Sequence, residues 1–201
     1  MAGVTRSGSG VTFDFRTDPP LKEFQFKLSR FTEGLSDFTP MFERIGGVFR
    51  QQEKKQFQSE GALGSGRWAK LSDNPAGAGY ASWKKRHYPG RKIGVLTGAL
   101  ASSMTGGRGY SQKVSKTSAS FGMDPGSAAV HYGRYFSEGT EKMPARPLIV
   151  ATSLRGKQLQ KTATTWVREE AHHAGLIGWG SKTFSQELPS MSYQESLPGV
   201  L

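Results

Sequence analysis

Glycine and proline punctuate this chain so closely that few elements can run far without a break. Pro19-Pro20, Thr39-Pro40, Gly61 to Gly66, Pro89-Gly90, Gly106-Gly107, Asp124-Pro125-Gly126 and Gly139 each mark a turn, a loop or a helix start. With 26 glycines among 201 residues and 35% apolar residues, the chain suits one domain of ordinary size, with loop or tail segments and a lean core.

The pattern between the breaks predicts the elements. Residues 1–10 read as a flexible N-terminal arm, and Val11 to Phe15 alternates apolar with polar, as a strand does. Leu21, Phe24, Leu28, Phe31 and Leu35 recur at helical spacing over about 20–35. Thr39 as N-cap and Pro40 at the first helical position start a second helix. Met41, Ile45, Val48 and Phe49 supply its apolar face. Gly46-Gly47 weakens it, and Gln51 to Gln58 extends it as an exposed surface.

Further helices are expected over about 76–87, within Leu96–Met104 with Thr97 as cap, and over Lys157–Gly175. Strands are expected over about 111–116, 118–123 and 127–132 as an antiparallel meander, and Leu148 to Ala151 reads as one more short strand. The fold class is therefore α+β: a small antiparallel sheet with several helices packed on it. The expected domain spans 11–177, with an extended tail over 178–201.

Several function classes lack their residues. There is no cysteine, which excludes a disulfide scaffold and a thiolate zinc site. Met1 to Gly10 is polar and small, unlike a signal peptide, and no apolar stretch approaches the roughly 18 residues that span a bilayer. The four histidines never fall in His-Glu-x-x-His spacing. Glu169 and His173, at i and i+4, read as a solvated helix face before they read as a weak metal site. No Gly-x-Ser-x-Gly elbow and no phosphate-loop motif is present; Gly106-Gly107-Arg108-Gly109 lacks the required lysine and reads as a loop tip. The acids are sparse, and Glu138 and Glu141 flank a glycine loop. No catalytic residue, cofactor or metal is expected.

Charge points toward a partner. Formal net charge is +11, and no carboxylate occurs between Asp73 and Asp124. That interval carries Lys84, Lys85, Arg86, Arg91, Lys92, Arg108, Lys113 and Lys116. It is either a solvated basic face or a contact surface for DNA or an acidic protein.

One arginine stands in a stiff frame. Pro144 and Pro147 fix their own φ and push Met143 and Arg146 out of the helical region, so Met143 to Pro147 is extended before any partner arrives. Arg146 then presents its planar fork either to a neighbouring subunit or to its own, for instance to Glu138 or Glu141. Trp68, Tyr132, Tyr135 and Phe136 are divided between core and interface in the same way, with the core favoured.

The order of these motifs resembles a known family. Phe57 to Gly61 precedes Gly66-Arg67-Trp68-Ala69-Lys70-Leu71; a Tyr/Trp/Lys helix follows; then come Val95 to Ser103, a short meander, Tyr135-Phe136-Ser137-Glu138-Gly139-Thr140, and Met143-Pro144-Ala145-Arg146-Pro147. This run, over about 11–170, resembles the tail-completion and virion-morphogenesis proteins of tailed bacteriophages, the family of the Mu-like G protein. That pattern usually has Phe after the second proline and often Gln before the loop glycine, where this chain has Leu148 and Glu138. The tail beyond Gly178 has no counterpart in it. The resemblance implies a non-enzymatic virion protein of the head–tail neck, made in the host cytoplasm. It would form a homo-oligomeric ring, a hexamer, against the head connector and the tail terminator or tube, with genomic DNA in the lumen and no membrane contact. A basic nucleic-acid-binding protein is the alternative that the charge suggests.

Overall fold

The computed structural model describes residues 2–7, 10–15, 19–64, 66–73 and 79–178. The fold is α+β and mostly helical. The chain divides into two compact units, one formed by the N-terminal segment through Thr32 with the chain from Glu169 onward, the other by Glu33–Arg168.

In the first unit, strands β1 (Ala2–Ser7) and β2 (Gly10–Phe15) pair antiparallel, with Val4 opposite Phe13. The segment expected as an arm therefore includes a strand. Helix α1 (Leu21–Gly34) follows the double proline as its spacing predicts, but no residue of it is buried: Leu21, Phe24, Phe26 and Leu28 are all exposed. The last helix, α6 (Ser153–His173), ends in this unit, where Gly175 at φ +76° closes it with Leu176 N–H on the Ala171 carbonyl at 2.9 Å. Beyond Gly178 the expected tail lies outside the described residues.

The second unit holds the core. Helix α2 (Thr39–Gln58) begins one residue earlier than a Thr39 cap requires: Phe38 is the cap residue, and the Asp37 carboxylate accepts from the Thr39 N–H at 2.9 Å. Side-chain and main-chain hydrogen bonds from Thr39 hold the half-buried Asp37 carboxyl below its ordinary range. Gly46 does not weaken the helix. It is buried, and a Cβ there would lie 2.7 Å from the Phe121 ring, so the glycine is what lets α2 approach the sheet.

The polar stretch at the end of α2 is not the exposed surface that its composition suggests. Gln52, Glu53 and Gln56 are buried, and α6 supplies partners for the first two. Arg155 Nη1 meets Glu53 Oε1 at 2.7 Å, and Gln52 Nε2 donates to Gln158 Oε1 at 2.7 Å. Helix α6 starts four residues before the expected Lys157, with the Thr152 hydroxyl accepting from the Arg155 N–H at 3.2 Å.

Helix α3 (Tyr80–His87) stands within its predicted window, and α4 (Ala99–Thr105) runs one residue past the end of its own. Gly98, at φ +89°, occupies the cap of α4, and Thr97 Oγ1 accepts from Ala99 N–H at 3.4 Å. Strands β3 (Tyr110–Val114) and β4 (Ala119–Met123) form the expected hairpin, with Gln112 opposite Phe121.

The meander stops there. Residues 127–132, predicted as its third strand, instead open helix α5 (Ala128–Glu138), with Ser127 as its cap residue. Its apolar run was too short to separate the two periods. Tertiary packing decides: Gly133 and Phe136, three apart, turn one helical face inward, and a Cβ on Gly133 would reach Met123 Cε at 2.6 Å. Leu148 to Ala151 is likewise no strand; Leu148 is a core residue in an irregular segment.

The core joins Phe57, Trp68, Leu100, Met104, Phe136 and Leu148. Trp68 meets Phe57 and Phe136 edge-on, at centroid distances of 5.4 and 5.2 Å.

Candidate docking cleft

Two segments far apart in sequence make one wall. The Trp68 indole Nε1–H donates to the Pro147 carbonyl at 2.9 Å. Arg146 returns the connection: its Nε donates to the Ala69 carbonyl at 2.9 Å and its Nη2 to the Lys70 carbonyl at 3.1 Å. The guanidinium also lies 5.7 Å from the centre of the Phe136 ring. Prolines on either side hold the backbone that aims this fork, and Arg146 N–H is fixed on the Phe136 carbonyl at 3.0 Å. Gly139, at φ +81°, makes room: a Cβ there would sit 2.7 Å from the Ala145 nitrogen.

Arg146 is thus 2% exposed and braces its own subunit, through main-chain carbonyls and neither of the glutamates named as partners. Glu138 pairs with Arg134 at 3.0 Å, and Glu141 is exposed. Burial pushes the Arg146 guanidinium below its ordinary value, with the Tyr132 and Tyr80 hydroxyls opposing.

Trp68 and Phe136 are core, Met143 and Pro147 half-buried, Pro144 exposed. Tyr135, for which core burial was favoured, is 58% exposed, and Tyr132 is exposed as well.

The basic residues divide. Lys85, Arg86, Arg91 and Arg108 are exposed. Lys92 is exposed with its ammonium on the Gln58 carbonyl. Lys84, predicted as a surface contact, is 4% exposed: its side chain turns inward and its Nζ donates to the Lys92 carbonyl. Burial lowers its pKa, opposed by the charge of Glu60.

These placements meet in a cleft of about 400 Å³. Lys84, Phe136, Met143, Pro144 and Arg146 all line it, so five of the residues singled out in the sequence converge. Leu71, Val95 and Leu96 add apolar wall, and Tyr132 lines the cleft from its exposed position; Tyr80 and Lys142 were not anticipated as site residues. Burial raises the Tyr80 hydroxyl pKa. No aspartate or glutamate is among the described lining residues. Beside the cleft, Trp83 stacks on Tyr80 at 5.7 Å and on His87 at 4.9 Å, a ladder whose i, i+3, i+4 spacing was legible.

The arrangement can hold an apolar group carrying an anion. His173, expected beside Glu169, faces Glu170 at 3.8 Å. Among the described residues there is no group of three metal-type side chains, and no helix is long and apolar enough to cross a membrane. No family model, curated protein or solved structure matches this chain.

Proposed function

We propose that this chain is a structural protein of the tailed-phage head–tail neck that works as a homo-oligomeric ring. The observation that carries the reading is the mutual bracing of Trp68–Leu71 and Met143–Pro147. These are two of the stretches in which the sequence resembles the tail-completion family, and they form one rigid wall beside exposed aromatic side chains. Tyr80, Trp83, Tyr88, Tyr132 and Tyr135 are all exposed large rings. Aromatic surface of this kind marks protein contact sites, where large rigid side chains anchor a partner. The chemistry is recognition: preformed surfaces hold copies and adjacent layers together without a bond being made or broken.

The test is assembly. Particles produced without this chain should accumulate as separate heads and tails, and adding the purified chain should join them. Electron microscopy of labelled particles should place it at the neck. Normal joining in its absence would end the reading.

A second reading has its own observation. Lys85, Arg86 and Arg91 are exposed and close in sequence to the Trp83 ladder, and basic groups interleaved with stacked rings suit nucleic acid. DNA affinity that falls steeply with salt would favour it.

A further inference from the structure

We infer that the cleft is the seat for an acidic, leucine-bearing segment of a second copy of this chain, within Thr183–Leu201. The inference rests on the ring reading, since it supplies the contact between copies.

The cleft states what it needs. Lys84 and Arg146 are buried cations held by carbonyl oxygens; the charge of Glu60 reaches Lys84, but among the described residues neither cation makes an ion pair with a carboxylate. Lys142 stands exposed at the same cleft. Burying charge without an opposite charge is costly, so an entering carboxylate gains more here than at an open surface. The remaining wall is apolar and aromatic: Leu71, Tyr132, Phe136 and Met143. An anion with an adjoining aliphatic group satisfies both halves. A bare phosphate satisfies one.

The chain carries such groups. In a sequence of net charge +11, Thr183–Leu201 has two glutamates and no lysine or arginine. Each glutamate opens a similar phrase: Gln186-Glu187-Leu188-Pro189 and Gln194-Glu195-Ser196-Leu197-Pro198. A carboxylate is followed within two residues by leucine and then proline. Proline restricts the backbone before binding, which lowers the ordering cost on docking. Charge and apolar complementarity therefore select this segment over the basic remainder of the chain.

The experiment uses the full chain. Self-association is measured by sedimentation velocity for the native protein, Glu187→Gln/Glu195→Gln, Lys142→Glu, and the triple combination. Lys142 is exposed, so its reversal leaves the fold intact. The glutamine pair and K142E should each weaken association roughly ten-fold or more, and K142E should add little once the glutamates are gone. A photo-crosslinking residue in place of Tyr132, in a mixture of isotopically heavy and light chains, should capture heavy–light peptides from 183–201. Association unmoved by the glutamine pair, additive losses, capture of other peptides, capture within one copy alone, or a chain monomeric throughout would each overturn the inference. Joining of heads to tails is scored separately. Normal joining by the glutamine pair with unmoved association removes the tail contact and leaves the ring reading standing.

Discussion

Arg146 Nε donates to the carbonyl oxygen of Ala69 at 2.9 Å, across 77 positions of sequence. With the Nη2 bond to Lys70, the guanidinium satisfies two carbonyls of a segment that belongs to no helix or strand. Backbone groups of irregular segments need such partners when they leave water. The fork is thus a substitute for secondary structure at the cleft wall.

Arg146→Ala should accordingly destabilise the fold by about 2–4 kcal/mol, since it removes two charge-assisted bonds and leaves their acceptors unserved. Arg146→Lys restores a cation without the planar fork and should recover less than half of the loss. Urea midpoints at constant slope measure both. Equal stability of the alanine variant would show that the bracing does not matter.

Glu53 and Arg155 make the second bridge, and its pH dependence has a definite sign. Burial raises the Glu53 carboxyl above its ordinary value, with the charge of Arg155 opposing. A carboxyl with a raised folded pKa binds more protons folded than unfolded. Its contribution is most favourable below its unfolded value near 4.5 and declines as pH rises through the folded pKa. Arg155→Met leaves that carboxylate buried alone and should cost about 3–5 kcal/mol near neutral pH, shrinking toward pH 4.5 as Glu53 takes up a proton. Glu53→Leu with Arg155→Met should lie near native stability. Thermal unfolding from pH 4.5 to 7 reads the trend, and a penalty that grew toward acid would reverse the assignment.

Gly139 carries a conformational requirement. Its φ of +81° with ψ of 179° lies in territory that is nearly glycine-only, and a Cβ would press on the Ala145 nitrogen at 2.7 Å. Gly139→Ala should lose about 1–3 kcal/mol from the dihedral alone, and more from the contact with main chain that cannot step aside. Because Ala145 precedes Arg146, the same variant should raise amide exchange at Ala69–Leu71. Unchanged exchange there would separate the turn from the fork.

Much of the helical framework was legible because it is written in repetition. Leu21, Phe24 and Leu28 announce α1, and Trp166, buried on α6, falls within the window predicted for that helix. Helix α5 was not legible: Tyr132 and Tyr135 are exposed while Gly133 and Phe136 are buried, so its apolar residues do not all mark one face. The buried Gln52, Glu53 and Gln56 were unreadable for another reason. A run of polar residues looks solvated until its partner is known, and Arg155 is 102 positions from Glu53. At the cleft, the prolines disclosed the stiffness of Met143–Pro147. The target of Arg146 is a pair of carbonyls, and carbonyls have no sequence signature.

The exposed basic face gives the last prediction. Lys85, Arg86 and Arg91, exposed and close in sequence to the Trp83 ladder, make none of the core contacts described above, so reversing all of them to glutamate should leave the melting temperature nearly unmoved. If this face touches duplex DNA, affinity measured by anisotropy should fall by orders of magnitude between 50 and 200 mM salt for the native chain. The dependence of log affinity on log salt should then flatten by about 0.9 for each phosphate contact removed. If the face meets an acidic neighbouring ring, the same variant should fail to join heads to tails while its DNA affinity stays as weak as that of the native chain. Full joining together with unaltered DNA binding would leave the face as plain solvated charge and remove it from both readings.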